Sequence, residues 1–206
     1  GLVGSQSIAD NLVLNRFAES AFARRGVRDR AAVAANATRL RDDFDIRSAS
    51  IRSSAGSLSG GNKQKVVVAR ELSARPRLLM AAQPTRGVDV GSIEFIHKRI
   101  IETRDSGIPI IVVSTELDEV SALADRIAVM YSGRIMEKAD VFELYRQPAH
   151  AYTKGLIDSI PRLDHKGQTL YAIGGLPPNL MRIPTGCEFN PRCRFAQEIC
   201  RNDRPQ

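Results

Sequence analysis

The run Leu58-Ser59-Gly60-Gly61-Asn62-Lys63-Gln64 has the composition of a site that approaches a phosphate group. Two glycines let an anion come close to the backbone, and Ser59 offers a hydroxyl. A helix is predicted over residues 62–74, and its N-terminal amides and positive dipole end would point at the anion. A flexible entry into a helix would explain the Ser-Gly-Gly triplet equally well, so the motif gains weight only from the features that follow it.

Further polar residues stand where short apolar runs end. Residues 78–82 and 109–113 are apolar runs too short for helices, and they are typical of buried strands. The first run ends at Gln83, and the second is followed closely by Thr115. Asp89 opens a predicted helix in which isoleucines recur at helical spacing.

Helical and strand patterns alternate along the chain. The helical patterns cover residues 5–17, 28–44, 62–74, about 89–105 and 116–124. A hairpin is predicted from strands at residues 126–131 and 134–137, with its turn at Ser132-Gly133. This order of elements predicts an α/β fold with a parallel sheet covered on both faces.

Taken in order and at their separations, the motifs at residues 58–64, 82–89 and 114–116 resemble the ATPase cassette of ATP-binding cassette (ABC) transporters. The resemblance covers about residues 1–136 and implies a partial P-loop NTPase sheet with a helical subdomain. It makes residues 58–64 the signature motif, Asp89 part of the loop that contacts a partner cassette, and Thr115 the position of a switch histidine. Residues 82–89 are more narrowly similar to the second cassette of sugar and nucleoside importers.

Several positions depart from the family pattern. The corresponding strand in the family ends in Asp-Glu, which hold Mg²⁺ and act on the attacking water, whereas this chain has Ala82 and Gln83. Thr115 replaces the switch histidine. No glycine is followed by lysine, so the phosphate-cradling loop G-x-x-x-x-G-K-[ST] is absent from the sequence. We therefore expect a cassette whose N-terminal half is missing, with degenerate catalytic positions at Gln83 and Thr115 and no appreciable ATPase activity of its own.

The signature motif of the family acts across a head-to-tail dimer. The resemblance implies that Ser59, Gly60, Gly61 and Gln64 contact a nucleotide held by a partner cassette, while Asp89 links the two sites. ATP and Mg²⁺ would then be cofactors shared with that partner. Survival of the motif as a relic in a truncated product is the alternative.

From about residue 137 the resemblance changes to another branch of the same superfamily. Residues 150–156, 159–163, 174–178 and 186–193 look, in that order, like the C-terminal extension of oligopeptide and dipeptide importer ATPases. We therefore expect residues 137–206 to form a small irregular extension. The two resemblances leave the transported solute open between a peptide and a sugar or nucleoside.

Cys187, Cys193 and Cys200 follow the spacing Cys-x5-Cys-x6-Cys. Thiolates at such spacing can converge on a soft metal or an iron–sulfur cluster. In the peptide-importer branch the corresponding cysteines bind an iron–sulfur cluster together with a fourth cysteine further on, which this sequence lacks. Zinc held by three thiolates with His150 or His165, and three free thiols, remain as alternatives.

Composition limits the classes of function. The chain has 206 residues, of which 43% are hydrophobic and 26% charged, so it should fold around a core. Its formal net charge of +7 is spread over both parts of the chain and only 5% of its residues are aromatic, which argues against a nucleic-acid-binding surface. The apolar stretch at residues 108–113 is far shorter than the roughly 20 residues that span a bilayer.

We accordingly expect three regions: a helical subdomain with the signature motif at residues 1–75, the C-terminal part of an α/β ATPase core at residues 76–136, and the extension at residues 137–206. The expected function is that of an ATP-binding subunit of an ABC importer. It would work with a second cassette and membrane-embedded permease subunits, without nucleic acid, in the cytoplasm at the inner face of the cell membrane. A non-catalytic interaction module that completes a partner's site is the second hypothesis, and a nucleic-acid-associated ATPase of the same fold is the third.

Overall fold

The structure, a computed structural model, describes residues 1–160 and 172–204. The chain divides into two compact units, Gly1–Leu123 and Ala124–Gln206. Each unit has its own apolar core. The residues singled out above as contacts to nucleotide or to a partner cassette all lie in the first unit, and the three cysteines lie in the second.

Three helices and a short hairpin form the first part of unit one. The helices are α1 (Ile8–Leu12), α2 (Arg30–Asp43) and α3 (Gly60–Ser73), and the hairpin pairs β1 (Ala23–Arg24) with β2 (Val27–Arg28). Each helix starts at a side chain that caps its first amides, supplied by Ser7, Asp29 and Ser59. Their apolar faces meet in one core that includes Leu12, Leu40 and Val66, so this region is held mainly by helix packing. The helix predicted over residues 5–17 is much shorter than expected, because the chain turns after Leu12.

The second part of unit one alternates strands and helices, as predicted. It contains β3 (Leu79–Ala82), α4 (Val90–Asp105), β4 (Ile110–Val113) and α5 (Leu117–Leu123). The two strands are parallel, with Leu79 opposite Ile110 and Ala82 opposite Val113. Helix α4 buries Ile96 and Ile100, which pack with Leu123 of α5 and with the inward side chains of β4.

The parallel pair is covered on one face only, which differs from the expectation of strands buried on both faces. Exposure alternates along each strand: Met80 of β3 is 66% exposed, while Ile111 and Val113 of β4 are 46% and 51% exposed. The apolar run that predicted a doubly buried strand is therefore present, but within the described residues the helices pack against one side of it.

Unit two begins with the predicted hairpin. Strand β5 (Arg126–Tyr131) pairs antiparallel with β6 (Arg134–Asp140), which is longer than predicted and bulges where Val129 and Met130 shift register. Ser132 and Gly133 both have positive φ, at 50° and 80°, as a two-residue I′ turn requires. Among the described residues that follow, three segments are α-helical: α6 (Val141–Arg146), α7 (Ala151–Asp158) and α8 (Glu198–Asn202). A short 3₁₀ helix lies at Asn190–Arg192.

The core of unit two contains three packed aromatic rings, and a buried acid lies beside it. The rings of Tyr131, Tyr152 and Phe189 lie with centroids 4.6–5.4 Å apart, in tilted and edge-on contacts. Next to Phe189, Glu188 is 2% exposed, and its Oε1 lies 2.8 Å from Arg134 Nε and 3.4 Å from Arg204 Nε. The ion pairs tie the chain end at Arg204 to the β5–β6 hairpin.

Glu137 on β6 fixes the start of α7. Its two carboxylate oxygens accept hydrogen bonds from the backbone amides of Ala149 and His150, at 2.8 and 3.0 Å. Burial alone would raise the pKa of this carboxyl and is the largest single influence on it, but the hydrogen bonds it accepts together lower the pKa. The ionised form is therefore favoured in the folded state.

Because the pKa of Glu137 is lower in the folded state, its contribution to stability is present above the ordinary Glu pKa and is lost as pH falls through that value towards the folded one. We predict that Glu137→Gln lowers the free energy of unfolding at pH 7 by about 1 kcal/mol. The carboxamide has one acceptor oxygen, so one of the two backbone N–H groups, of Ala149 or His150, loses its hydrogen-bond acceptor. The variant should also show a weaker loss of stability on acidification than the parent chain. Denaturant unfolding between pH 7 and 3 measures both, with the exposed Glu143→Gln as control; an equal effect of the two substitutions would contradict the assignment.

Candidate functional site

The start of α3 forms the first part of the site. Ser59 caps the helix, because its Oγ accepts from the side-chain amide of Asn62 at 2.9 Å and from the Asn62 backbone amide at 3.4 Å. Asn62 in turn accepts from the backbone amide of Arg47 at 2.7 Å, which holds the preceding loop against the helix. Ser59 and Gly60 are exposed, so the first turn presents its helix dipole and unbonded amides to an incoming group.

Two glycines allow α3 to approach the start of α4 closely. A Cβ on Gly61 would collide with Ser92 Oγ and come within 2.7 Å of Asp89 Oδ2. A Cβ on Gly60 would lie 3.2 Å from the carbonyl oxygen of Gly87, which is a tight contact. The predicted signature motif at residues 58–64 and the segment at residues 87–89 are therefore adjacent, although about 30 residues separate them in the sequence. The sequence did not predict this contact.

Asp89 is occupied as the N-cap of α4. Its carboxylate accepts from the Ser92 hydroxyl at 2.9 Å and from the Ser92 backbone amide at 3.0 Å. These hydrogen bonds, the one from the Ser92 side chain foremost, lower the pKa of Asp89. Asp89 therefore presents a fixed negative charge beside Gly61.

The signature helix is also joined to the end of β3. Gln64 lies on α3 and donates from its Nε2 to the carbonyl oxygen of Pro84 at 2.7 Å. Gln64 was predicted to contact a nucleotide held by a partner, but in this structure its side-chain amide group donates to Pro84 of its own chain. The next residue, Lys65, is buried. It donates to the carbonyl oxygen and carboxylate of Asp45, at 3.0 and 2.8 Å, and its Nζ lies 4.7 Å from the centre of the Phe95 ring.

The two positions predicted to be degenerate catalytic positions, Gln83 and Thr115, are adjacent. Gln83 follows β3 and Thr115 follows β4, and parallel strands bring their ends together, so that 3.4 Å separates Thr115 Oγ1 from Gln83 Oε1. Gln83 adopts φ of 51°, a left-handed conformation that a side chain disfavours. Both are neutral polar groups, so they can orient a phosphate or water but supply no carboxylate for Mg²⁺.

A buried acid connects the same turn to two helices. Glu119 on α5 is 4% exposed, and its Oε1 accepts from Thr85 Oγ1 at 2.6 Å and lies 3.3 Å from His97 Nε2 on α4. In the sequence, Glu119 is only a carboxylate near the start of a helical pattern, and His97 stands next to Ile96 in another. The pattern of α5 alone carries no signal for this contact, because Thr85 lies 34 residues earlier.

The three cysteines belong to the apolar core of unit two. Cys187 is buried there with Tyr131 and Phe189, and Cys193 and Cys200 are partly buried and pack against it. Cys187 is buried, its Sγ lies 3.7 Å from His150 Nε2, and burial raises the pKa of its thiol, which favours the neutral form. His150 Nδ1 accepts from the Tyr152 amide at 3.1 Å and so caps α7.

This arrangement does not fit a metal or cluster site. In residues 1–160 and 172–204, no group of three or more His, Cys, Asp or Glu side chains is placed to hold a metal ion. His165, the other histidine considered as a zinc ligand, lies outside the described residues.

Comparison with known proteins gives this geometry its context. Residues 136–200 match the family model described as the oligopeptide/dipeptide transporter C-terminal region. The oligopeptide transport ATP-binding protein OppD of Escherichia coli is 42% identical over 148 residues, or 71% of this chain and 44% of OppD. The nucleoside import ATP-binding protein NupA of Lactococcus lactis is 45% identical over 135 residues, or 66% of this chain and 27% of NupA.

The chain is related by descent to the ABC transporter ATPases. Its resemblance to both peptide and nucleoside import proteins is thus confirmed. The chain spans less than half the length of these two curated relatives.

Solved structures agree on the fold. One similar structure is an ATP-binding cassette dimer in a post-hydrolysis state, bound to ADP and Pi. The match covers 68% of the present chain and 59% of the cassette, with a TM-score of 0.57 and 21% identity. Another is the ADP conformation of an ATP-binding cassette of an ABC transporter. That match covers 74% of the present chain and 63% of the cassette, with a TM-score of 0.58 and 20% identity. The predicted fold, a partial ABC cassette with a helical subdomain, is confirmed by these likenesses.

The close approach at Gly61 makes a specific prediction. Gly61→Ala should lower the free energy of unfolding by about 1–2 kcal/mol, because the new methyl group displaces the Ser92 and Asp89 side chains and weakens the cap of α4. Gly91→Ala is the matched control: its Cβ would meet only Asp89 Oδ1 at 3.5 Å, an ordinary contact, and alanine is the better helix former. Urea denaturation measures both variants, and a neutral Gly61→Ala would show that the two helices do not pack this closely.

Proposed function

We propose that this chain acts within the ATP-binding subunit of an ABC importer, in which ATP binding and hydrolysis at a pair of cassettes drive import of a solute. The observation that carries the proposal is the contact of Gly60 and Gly61 with the Gly87–Asp89 segment beneath an exposed, capped helix start. A helix start of this kind suits a phosphate group. Relatives named for oligopeptide and nucleoside import support the assignment to importers.

In this proposal the signature residues serve a nucleotide held by a second cassette. Ser59, Gly60 and Gly61 contribute a hydroxyl and backbone amides to its terminal phosphate, with Mg²⁺ bound on the partner's side. Ser59 keeps this capacity while capping α3, because a hydroxyl that accepts from Asn62 still has a hydrogen to donate. Asp89 links the two sites, and Gln64 supports the motif from behind through its bond to Pro84.

The proposed division of labour follows the three expected regions. Residues 1–75 present the signature motif, residues 76–136 carry the strand ends with Gln83 and Thr115, and residues 137–206 form the extension that matches the peptide-transporter region. The proposed partners are a second cassette and membrane-embedded permease subunits, and the proposed location is the inner face of the cell membrane. No helix in the described part of the chain has the length and apolar character needed to cross a membrane.

The solute remains a choice between two chemistries. The match of residues 136–200 favours a peptide, whereas the likeness to NupA favours a nucleoside. The iron–sulfur cluster expected at Cys187, Cys193 and Cys200 is not part of this proposal, because in the described residues no group of three or more such side chains is placed to hold a metal.

A non-catalytic module is the second candidate function. It is favoured by the strand ends, where Ala82 and Gln83 stand at positions that carry two carboxylates in the family pattern. The Gln83 side chain lies beside another neutral side chain, that of Thr115. Such a module would complete the partner's site and hydrolyse nothing itself. Titration calorimetry of the chain alone with Mg-ATP tests this candidate, because heat of binding would reveal a nucleotide site within the chain and would contradict a module that only completes the partner's site.

The role across the dimer predicts association that depends on nucleotide. With Mg-ATP, the chain should form a complex with a purified importer cassette that has its own phosphate loop and carries a Glu→Gln substitution to prevent hydrolysis. Ser59→Arg should weaken that complex at least tenfold, because a bulky cation at the exposed helix start blocks approach of the phosphate. Ser57→Arg, also at an exposed serine, is the control. Light scattering after gel filtration measures the complex, and equal loss in both variants, or association without ATP, contradicts the role.

The strand ends predict that one restored carboxylate is not enough. Gln83→Glu should leave the purified chain without measurable ATP hydrolysis, because Ala82 still supplies no metal ligand and the sequence has no phosphate-cradling loop. A coupled phosphate-release assay measures this. Robust turnover by the single variant would overturn the assignment of Gln83.

A further inference from the structure

The turn after β3 carries two of the site's residues and is held in an unfavourable shape. This turn, residues 83–89, begins at Gln83, whose φ is 51°, and passes through Gly87, whose φ is 73°. Inside it, the Arg86 amide donates to the carbonyl oxygen of Gln83 and the Val88 amide to that of Thr85, both at 3.3 Å. These two long bonds alone are weak, so other contacts must fix the shape.

The first such contact comes from α3. Gln64 Nε2 donates to the Pro84 carbonyl oxygen at 2.7 Å, the shorter end of the range for an N–H donor. Pro84 has no amide hydrogen of its own, so its carbonyl is the one backbone group through which it can be held. Helix α3 is thus hydrogen-bonded to the turn at Pro84.

The second contact comes from α5 at the next residue. Thr85 is 7% exposed and its hydroxyl donates to Glu119 at 2.6 Å, a short bond of the kind that an ionised acceptor makes. His97 of α4 lies 3.3 Å from the same carboxylate oxygen and limits its movement. Thr85, His97 and Glu119 therefore join the turn to both helices that cover the sheet.

Burying a carboxylate for this purpose is unfavourable in itself. Glu119 Oε2 has no hydrogen-bond partner among the described residues, and an acid that is 4% exposed loses most of its hydration. An apolar residue at this position would pack against the same core at lower cost, so stability alone does not account for the acid. What the acid supplies is a directional acceptor for Thr85.

We propose that Glu119 is a positioning residue and that, with Gln64, it clamps Pro84 and Thr85 from two sides, so that Gln83 and Asp89 are held at fixed places relative to the signature motif. His97 orients the carboxylate from α4. The link from this clamp to nucleotide chemistry rests on the proposed function above. The clamp itself is a property of the chain and can be tested without nucleotide.

Amide hydrogen exchange in the purified chain, followed by NMR at Arg86 and Val88, tests the clamp. Thr85→Val keeps the shape but removes the hydroxyl, and it should speed exchange at these two amides about tenfold or more. Thr85→Ser should restore slow exchange, because it returns the donor. Glu119→Leu should act like Thr85→Val, whereas Glu116→Gln, at an exposed acid one turn earlier, should have no effect. Unchanged exchange at amides in the middle of α2 shows that the variants remain folded.

Gln64 supplies the second arm of the test. Gln64→Leu should speed exchange at the same two amides, and combining it with Thr85→Val should produce less than the product of the two separate effects, because both act on one turn. Exchange at Arg86 and Val88 that is unchanged in Thr85→Val, or raised equally in Thr85→Ser, overturns the proposal. In the association assay with the partner cassette, Thr85→Val should weaken the complex and Thr85→Ser should not. Failure of the parent chain to associate would count against the proposed function and would leave the exchange result to decide the clamp.

Discussion

The absence of a side chain at Gly61 is the constraint on which the arrangement of the first unit depends. Because nothing projects from this residue, the start of α3 rests on the Ser92 and Asp89 side chains at the start of α4. The same closeness lets Gln64 reach Pro84 at the end of β3. A helical region with its own core and an α/β region with a second core thereby meet at their helix starts. Val68 and Phe95 pack against both cores and join them further.

Parallel pairing supplies the other half of the geometry. Once Leu79 lies opposite Ile110, the chain segments that leave the two strands must emerge side by side, and this alone brings Gln83 to Thr115. Gln83 and Thr115 are neutral, so the two strand ends present adjacent polar groups without a carboxylate. Charge remains at the periphery instead, in the capping carboxylate of Asp89 and the buried acid of Glu119.

Local signals in the sequence were sufficient for most elements and for one part of the site. Capping residues and periodic isoleucines predicted α4, and Ser132-Gly133 predicted the hairpin turn, because these depend on neighbours in sequence. Contacts such as Gln64 with Pro84 or Glu119 with Thr85 depend on how distant segments pack, and no local pattern encodes them. The expected burial of both strand faces was wrong for the same reason: an apolar run records what a strand can bury, not what covers it in this chain.

The bare face of the β3–β4 pair has a consequence for association. Within the described residues, Leu78, Met80, Ile111 and Val113 present side chains that are 46–66% exposed, next to strand edges with open hydrogen-bonding positions. An apolar face beside open edges favours packing against a further polypeptide segment, whether that segment belongs to the same protein or to another.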